Sequence, residues 1–244
     1  MTEKILNINI TEIRNSSNFF FRVSDDDTGD IIDKSMRQLT SNYGIHGAPC
    51  DSKIGKIVAA LFDDGTGNSW YRAKILELKS GVANVLFIDW GNTAKVNVST
   101  QMRPLDFELG VDRIPPAARE AVMALTKARD LDDDDGVAAA RYLRNLCWGK
   151  IAKAQIFCDI EGKAVLALFE PGNSAMSINE ELISDGLARV SKAGELKILT
   201  NKVVDTKNIE NLFNTLSLSQ ENARKSRRGI WRYGDVGDDD DEVV

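Results

Sequence analysis

The first 23 residues carry two short segments whose pattern of apolar and polar positions predicts β-strands. Apolar and polar side chains alternate between Ile5 and Ile13, and a second, aromatic run follows at residues 18–23. Successive side chains of a strand point to opposite faces, so a period of two is typical of a half-buried strand. We therefore expect these segments to form a pair of strands.

The pattern then changes to the period of a helix. Ile32, Met36, Leu39 and Tyr43 are separated by four, three and four residues, which places them on one helical face. Gly44 follows directly, and glycine is common just after the last turn of a helix. The sequence therefore predicts an amphipathic helix over residues 31–43.

Residues 54–98 predict a small β-barrel. Apolar segments occur at 57–62, 70–78, 82–89 and 94–98, and their connections are rich in Gly, Asp, Asn and Ser. Such connections are typical of hairpin turns. So few short strands cannot form a sandwich, but they suit a strongly bent barrel.

Two helices are expected between this barrel and the last strands. Proline is tolerated in the first turn of a helix, and Pro115-Pro116 precede an apolar face of four residues, Ala118, Ala121, Val122 and Leu125. We predict one helix over residues 115–129 and a second over residues 138–146. The four carboxylates at 132–135 are interpreted as the solvated start of that second helix, with a cation site as the alternative.

The C-terminal third predicts two strands and two further helices. The strands are expected at 150–157 and 163–169. Ser177-Ile178-Asn179-Glu180 is a capping-box sequence, which predicts a helix start, and Gly186 predicts its end. A last helix is expected from about residue 205, and it ends in a basic segment.

The order of these elements predicts a β-rich α+β fold. The first and last groups of strands are each too small to bury a sheet alone, so we expect one β-rich domain that is split by the inserted barrel. The predicted limits are 1–30 for the first strands, 31–50 for a linker helix, 51–105 for the inserted barrel, 106–147 for linker helices, 148–234 for the rest of the split domain and 235–244 for a disordered acidic tail.

The composition narrows the classes of partner. The formal net charge of the 244 residues is -6, which does not favour a protein whose whole surface grips a phosphate backbone and suits a cationic partner better. The three cysteines form no CxxC pair, and His46 is the only histidine. We therefore expect reduced thiols, no metal site, no cofactor and no membrane span.

Residues 62–92 hold the candidate site. Five aromatic residues lie in this stretch although only 7% of the chain is aromatic, and they sit near strand ends, where side chains can converge on a pocket. Phe87 and Trp90 are three residues apart, so on a straight strand they would point to opposite faces. A shared pocket therefore requires the chain to bend at Asp89-Trp90-Gly91, and glycine permits such a turn.

Several motifs resemble those of one family. Trp70-Tyr71-Arg72-Ala73 and Phe87-Ile88-Asp89-Trp90-Gly91-Asn92 are similar to the W-Y-R-A and (F/Y)-I-D-Y-G-N motifs of Tudor domains. The segments 179–190 and 223–231 resemble the N-E-x-L-x-x-x-G-L-A-x-V pattern and the last helix of staphylococcal nuclease-like domains. A Tudor barrel inside a split, nuclease-like OB-fold is the extended Tudor arrangement, and the closing segment 231–235 before an acidic tail resembles its Tudor staphylococcal nuclease members.

The resemblance implies an aromatic cage for methylated arginine, usually symmetric dimethylarginine. Carried over by motif, the cage residues are Phe62, Tyr71, Phe87 and Trp90, with Asn92 beside them. Phe87 and Trp90 stand where the family usually has tyrosine, and the loop at 65–69 is longer than usual. Phe62 and Phe87 could instead be barrel core, and Asp89 could hold the turn rather than touch a ligand. We expect Trp70 to belong to the core. Asp63, Asp64 and Asp89 are expected to add a negative field.

The resemblance also implies partners and a setting. It implies binding to Arg/Gly-rich tails with symmetrically dimethylated arginine, such as those of spliceosomal Sm or Argonaute/Piwi-type proteins. It places the chain in a monomeric protein of RNA metabolism (splicing, RNA silencing and transcript regulation), in the cytoplasm and also in the nucleus.

Two other functions are compatible with the sequence. The OB-like frame and a basic cluster, Arg224, Lys225, Arg227 and Arg228, permit RNA binding. A calcium-dependent nuclease would need clustered carboxylates and phosphate-binding arginines, but residues 23–30 lack the D-x-P-E-like segment of active members. We therefore expect no catalytic residue in this chain, although a longer protein that contains it could be a nuclease.

Overall fold

The structure is a computed structural model that describes residues 4–172, 175–203 and 206–234. Among these residues, no helix combines the length and apolar character that a membrane crossing requires. The strands are β1 Lys4–Asn15, β2 Asn18–Val23, β3 Ile57–Asp63, β4 Asn68–Lys79, β5 Val82–Phe87, β6 Thr93–Asn97, β7 Met102–Arg103, β8 Arg119–Met123, β9 Thr126–Lys127, β10 Ile151–Ile160, β11 Lys163–Phe169 and β12 Arg189–Val190. The helices are α1 Thr28–Tyr43, α2 Asp134–Cys147, α3 Ile178–Ser184, α4 Ala193–Thr200 and α5 Thr206–Lys225, with 3-10 turns at Phe107–Leu109 and Gly229–Tyr233.

The chain divides into two compact units, one made of residues 1–19 and 120–244 and one of residues 20–119. The strand order β1-β10-β11-β8-β2 closes a five-stranded barrel. The early strand β1 pairs antiparallel with the late strand β10, from Lys4 opposite Ile156 to Asn9 opposite Ile151. The predicted β-rich α+β fold, with an OB-type barrel interrupted by an insertion, is therefore confirmed.

The helix expected over residues 115–129 is wrong. Residues 119–123 form β8, which pairs in parallel with β11, and residues 126–127 form β9, which pairs with β12. The apolar residues at 118, 121, 122 and 125 have the spacing of a helical face, but in the structure Ala121 and Met123 are buried on one face of a strand, with the half-buried Val122 between them. Barrel pairing supplies hydrogen bonds that decide the outcome. Of the helices expected within 106–147, the structure contains only α2, besides the short 3-10 turn.

The other elements lie close to their predicted positions. The helix expected at 31–43 begins earlier, at Thr28, and the Ser177 hydroxyl accepts a hydrogen bond from the Glu180 amide at the start of α3, as the capping box predicts. The unit boundaries at 19/20 and 119/120 differ from the predicted limits of 30 and 106. The acidic tail at 235–244 lies outside the described residues.

The unit of residues 20–119 contains a curled antiparallel sheet in the order β6-β5-β4-β3-β7. A register shift between Ile75 and Glu77 marks a bulge in β4, and bulges bend a strand. One face of the sheet encloses a core that includes Val58, Val85 and Phe87. The opposite face packs against α1, mainly through Trp70.

Trp70 is fixed on that opposite face. Its ring is buried, and its indole N–H donates to the Gly44 carbonyl at 2.7 Å, just beyond α1. The Thr40 hydroxyl accepts from the Trp70 amide at 3.0 Å. Trp70 is therefore a core residue, as expected.

Arg72 and Asp89 form a buried ion pair in the same unit. Arg72 Nε and Nη2 donate to the two Asp89 carboxylate oxygens at 2.8 and 2.6 Å, and both side chains are almost fully buried. The remaining guanidinium hydrogens go to the carbonyls of Leu109, Ile114 and Pro115 at 3.0, 2.7 and 3.0 Å. This pair joins strand β4 to the turn after β5 and to the segment 109–115.

Asn179 plays a comparable part in the other unit. Its side-chain oxygen accepts from the Leu168 amide at 3.0 Å, and its amide nitrogen donates to the Ala124 carbonyl and the Thr126 hydroxyl at 3.1 and 3.2 Å. The side chain is fully buried. It therefore satisfies backbone groups where β8, β11 and α3 meet.

Replacing Arg72 with Met, or Asp89 with Asn, is expected to lower the free energy of unfolding by about 3–5 kcal/mol, because each change leaves an unpaired charge in the interior. Urea denaturation followed by circular dichroism measures the change. Arg37→Met, on the exposed side of α1, is the matched control and should alter stability by less than about 0.5 kcal/mol. Equal effects at positions 37 and 72 would contradict the assigned role of the pair.

Replacing Asn179 with Ala is expected to cost about 2–3 kcal/mol, because buried backbone groups lose their partners. The same denaturation experiment measures it. Asn145→Ala, on the exposed surface of α2, is its control and should be close to neutral.

Candidate functional site

The chain bends where the shared pocket requires it. Residues 88–90 form a turn directly after β5. The Phe87 carbonyl accepts hydrogen bonds from the amides of Trp90 and Gly91 at 3.1 and 2.7 Å, and the Phe87 amide donates to the Asn92 carbonyl at 2.9 Å. This closed turn allows residues three apart in sequence to lie on one side of the sheet.

Gly91 is required for this turn. Its φ is +95°, a conformation that other residues rarely adopt. A Cβ atom at this position would lie only 2.1 Å from the Phe20 ring of β2. The bend predicted at Asp89-Trp90-Gly91 is thus present, and β2 packs directly against it.

Three of the predicted cage rings contact one another. The ring centroids are 5.0 Å apart for Phe62 and Phe87, 5.8 Å for Tyr71 and Phe87, and 6.3 Å for Phe62 and Tyr71. Tyr71 stands nearly perpendicular to both phenylalanines, at 74° and 75°. These separations are those of aromatic rings in mutual contact, and each ring attracts cations over about 6 Å from its centroid.

The rings differ in exposure. Phe87 is 1% exposed and belongs to the core that the curled sheet encloses, whereas Phe62 and Tyr71 are half-buried and pack against that core. Phe87 therefore forms the floor of the cluster, and Phe62 and Tyr71 form its more accessible sides. The sequence left open whether the phenylalanines are core or cage, and for Phe87 the core position is clear in this structure.

Tyr71 is oriented by the loop that precedes β4. Its hydroxyl donates to Asp64 at 2.5 Å, and Asp64 also accepts from the amide and hydroxyl of Thr66 at 2.9 and 2.6 Å. These hydrogen bonds lower the pKa of Asp64, and the bond from the Thr66 hydroxyl contributes most. Burial, together with the Asp64 carboxylate, raises the pKa of Tyr71. The phenol therefore stays protonated, and a carboxylate lies at the edge of the ring cluster.

Trp90 packs against the same core, and an arginine side chain of the same chain stacks on its ring. The Arg22 guanidinium lies 3.9 Å from the centre of the Trp90 ring. Trp90 is half-buried, and within the described residues its indole N–H has no hydrogen-bond partner. Nothing in the sequence motif pointed to Arg22, which lies 68 positions earlier in the chain.

The polar residues of the stretch take different positions. Asp89 is buried in its ion pair with Arg72 and also accepts from the Ala117 amide at 3.0 Å, so it holds the turn and does not face a ligand. The expectation that Asp89 adds a negative field at the site is therefore wrong. Asp63 and Asp64 are exposed. The half-buried Asn92 makes no side-chain hydrogen bond to any described residue.

The basic cluster at the end of α5 is exposed but engaged within its own unit. Arg224 stacks on Trp231 at 5.4 Å, Lys225 pairs with Glu221 at 3.1 Å, and Arg228 lies 3.9 Å from Asp185. Arg227, exposed, has a positive φ of 53° at the turn that ends the helix. Arg224 and Arg228 thus contact residues next to the C-terminal turn, and Lys225 pairs within α5.

Two other acidic segments have structural partners. Asp133 caps α2 by accepting from the Asp135 amide at 2.8 Å and pairs with Arg129 at 2.6 Å, while Asp135 pairs with Arg232 at 2.7 Å. Among the described residues, no group of three or more His, Cys, Asp or Glu side chains is placed to hold a metal ion. In the segment 23–30, Asp26 accepts from the Thr28 amide at 2.8 Å at the start of α1.

Comparisons with known proteins fit this architecture. A model of the Tudor domain family matches residues 1–124. Staphylococcal nuclease domain-containing protein 1 of Drosophila melanogaster is 26% identical over 239 residues, which cover 96% of this chain and 24% of the relative. Ribonuclease TUDOR 1 of Arabidopsis thaliana is 28% identical over 264 residues, which cover 99% of this chain and 25% of the relative. The chain thus spans about a quarter of the length of these relatives.

Solved structures share the fold. The extended Tudor domain of Drosophila melanogaster Tudor-SN (p100) superposes with a TM-score of 0.76 at 22% identity and covers 94% of this chain and 100% of its own. Extended Tudor domain TD3 of mouse TDRD1, in complex with a MILI peptide containing dimethylarginine, gives 0.67 at 18% identity over 79% of this chain and 96% of its own. The expected resemblance to the extended Tudor region of Tudor staphylococcal nuclease proteins is confirmed. Since the family match spans more than half of the 244 residues, the chain belongs to the Tudor domain family, and its fold is that of an extended Tudor domain.

Proposed function

We propose that this chain binds symmetric dimethylarginine in Arg/Gly-rich peptides through Phe62, Tyr71, Phe87 and Trp90, with Asn92 beside them. The observation that carries the proposal is the convergence of the first three rings, with centroids 5.0–6.3 Å apart, at a turn that brings Trp90 onto the same core. Tyr71 lies nearly at right angles to both phenylalanines, so the rings present π-faces in more than one direction.

The chemistry of the ligand suits such a cluster. A dimethylguanidinium is a flat, weakly hydrated cation whose methyl groups replace N–H donors. Each aromatic face attracts it by roughly 0.5–2 kcal/mol, and the attraction grows as water is excluded. Methylation also leaves the guanidinium with fewer N–H donors. It therefore gives up fewer hydrogen bonds to water when it enters the site. The rings therefore favour the methylated form over the unmethylated one.

Polar groups around the rings support orientation and charge complementarity. The side-chain oxygen of Asn92 can accept a hydrogen bond from the remaining guanidinium N–H. Asp64 lies against Tyr71, and Asp63 is exposed beside it. A net charge of -6 also attracts peptides rich in arginine.

Related structures supply the partner class. Solved extended Tudor domains of similar fold are complexes with dimethylarginine peptides, including a MILI peptide bound to mouse TDRD1 and a symmetrically dimethylated peptide bound to human TDRD1. By analogy we propose partners with dimethylated Arg/Gly-rich tails, such as Argonaute/Piwi-type and spliceosomal Sm proteins. The proposed setting is RNA metabolism in the cytoplasm and also the nucleus, with the chain as a monomeric reader.

A binding role is favoured over catalysis for this chain. A nuclease needs arginines that are available to bind phosphate, but Arg22 and Arg72 are held in ion pairs with Asp33 and Asp89. In the region where active nucleases carry their D-x-P-E-like motif, Asp26 is used to start α1. RNA binding remains a prediction for the basic cluster of Arg224, Lys225, Arg227 and Arg228. Three of these residues already have partners within the chain, so we favour this function less than peptide binding.

The central prediction concerns methyl selectivity. An Arg/Gly peptide with one symmetric dimethylarginine should bind at least about fivefold more tightly than its unmethylated form, since an advantage of about 1 kcal/mol is enough for that ratio. Isothermal titration calorimetry on the whole chain measures both affinities. Equal affinities would rule out the proposed function, and stronger binding of a single-stranded RNA would favour the alternative.

Trp90→Ala is expected to weaken binding of the methylated peptide about five- to thirtyfold and to remove the selectivity, because one π-face is lost. Trp148→Ala is the matched control, since Trp148 is also partly exposed and stacks against an arginine, Arg144 at 4.3 Å. The control should bind like the original chain. Circular dichroism of both variants checks that the fold is intact.

A further inference from the structure

Strand β2 meets the turn after β5 with two side chains. Phe20 and Arg22 are two residues apart and therefore lie on the same face of the strand. Phe20 packs against Gly91, and Arg22 stacks on the neighbouring Trp90. Strand β2 thus contacts two consecutive residues of the turn that shapes the site.

Arg22 is held rigidly over the Trp90 ring. It donates from Nη1 and Nη2 to the two carboxylate oxygens of Asp33 on α1 at 2.7 and 3.0 Å, and from Nε to the Asp89 carbonyl at 2.6 Å. Only 13% of its side chain is exposed. Gly29 leaves room for it, because a Cβ there would lie 3.2 Å from Arg22 Nη1. Such a fixed group is a built part of the site and not a mobile side chain that a ligand displaces.

A resident cation on Trp90 creates an electrostatic problem for a cationic ligand. Two guanidinium groups near the same ring repel each other, and the repulsion is strong where water is partly excluded. The bidentate Asp33 carboxylate cancels the charge of Arg22 at a distance of 2.7 Å. With Asp33 in place, Arg22 can fix the ring without repelling the ligand.

Asp33 acts on a second ring as well. Burial is the main cause of the raised pKa of Tyr71, and the charges of Asp64 and then Asp33 add to it. Asp33 therefore lies close enough to influence both Tyr71 and, through Arg22, Trp90. Its negative charge belongs to the same electrostatic environment as the ring cluster.

We propose that Arg22 and Asp33 are positioning residues of the methylarginine site: Arg22 fixes the Trp90 ring, and Asp33 neutralises Arg22 so that the cluster accepts a second cation. This inference rests on the proposed function for its effect on binding. The other part of the inference, that Arg22 fixes the Trp90 ring, does not depend on a ligand. The two parts therefore have separate readouts.

The test compares Asp33→Asn, Arg22→Met and the double variant with the original chain. Calorimetry with the symmetric dimethylarginine peptide is run at about 0.05 M and about 0.5 M salt, because salt screens charge effects. Asp33→Asn should weaken binding about tenfold at low salt and less at high salt. Adding Arg22→Met to Asp33→Asn should bring binding back to the level of Arg22→Met alone. Arg22→Met alone should weaken binding severalfold, because the ring loses its support.

The ligand-free readout is the indole N–H resonance of Trp90 in a ¹⁵N-labelled sample. It should shift and exchange faster with water in Arg22→Met, while the resonances of Trp70, Trp148 and Trp231 stay in place. The matched control is Arg113→Met with Glu108→Gln, since Arg113 stacks on Phe107 at 4.5 Å and pairs with Glu108 at 3.5 Å outside the ring cluster. The control should leave both readouts unchanged.

The outcomes separate the two proposals. If the original chain does not prefer the methylated peptide, the proposed function fails, and the Trp90 resonance alone decides whether Arg22 is a positioning residue. If the original chain prefers the methylated peptide but Asp33→Asn binds within about twofold of it at low salt, the positioning pair is refuted. Tighter binding by Arg22→Met would also refute it, because Arg22 would then be an obstacle to the ligand.

Discussion

Burying a guanidinium with a carboxylate is tolerated only when their hydrogen-bonding groups are matched, and Arg72 and Asp89 meet this condition with five hydrogen bonds from the guanidinium. Tyr71 precedes Arg72 and Trp90 follows Asp89 in the sequence. On strand β4, adjacent residues point to opposite faces, so the ion pair on one face fixes the backbone from which the Tyr71 ring projects on the other, and Trp90 is fixed through the turn that Asp89 holds. The site therefore depends on a contact that no ligand touches.

Support for the site comes from several parts of its unit. The segment 109–117 supplies three carbonyls and one amide to the ion pair, the loop at 63–66 orients Tyr71, and β2 covers the turn with Phe20 and Arg22. Rings held in this way lose little freedom when a ligand binds. Preorganisation of this kind raises affinity by lowering the ordering cost of binding.

The local motifs were sufficient to predict much of this arrangement. The bend at Asp89-Trp90-Gly91 followed from the requirement that Phe87 and Trp90 share a pocket, and alternation placed most strands within a few residues. The helix expected at 115–129 failed because Ala121, Val122 and their neighbours have the spacing of a helical face, and only pairing with the distant β11 makes the segment a strand. The partners of Arg22 and Arg72 were not predictable, since backbone carbonyls carry no signal in a sequence and Asp33 resembles any solvated helix carboxylate.

A structure of the chain in complex with an Arg/Gly peptide bearing symmetric dimethylarginine would show where the methylated guanidinium binds. We expect the dimethylguanidinium within about 6 Å of the centroids of Phe62, Tyr71, Phe87 and Trp90, with its N–H directed at the Asn92 side-chain oxygen and Arg22 still paired with Asp33. A methylated arginine bound elsewhere on the chain, with no peptide atom in contact with Phe62, Tyr71 or Phe87, would contradict the proposed function.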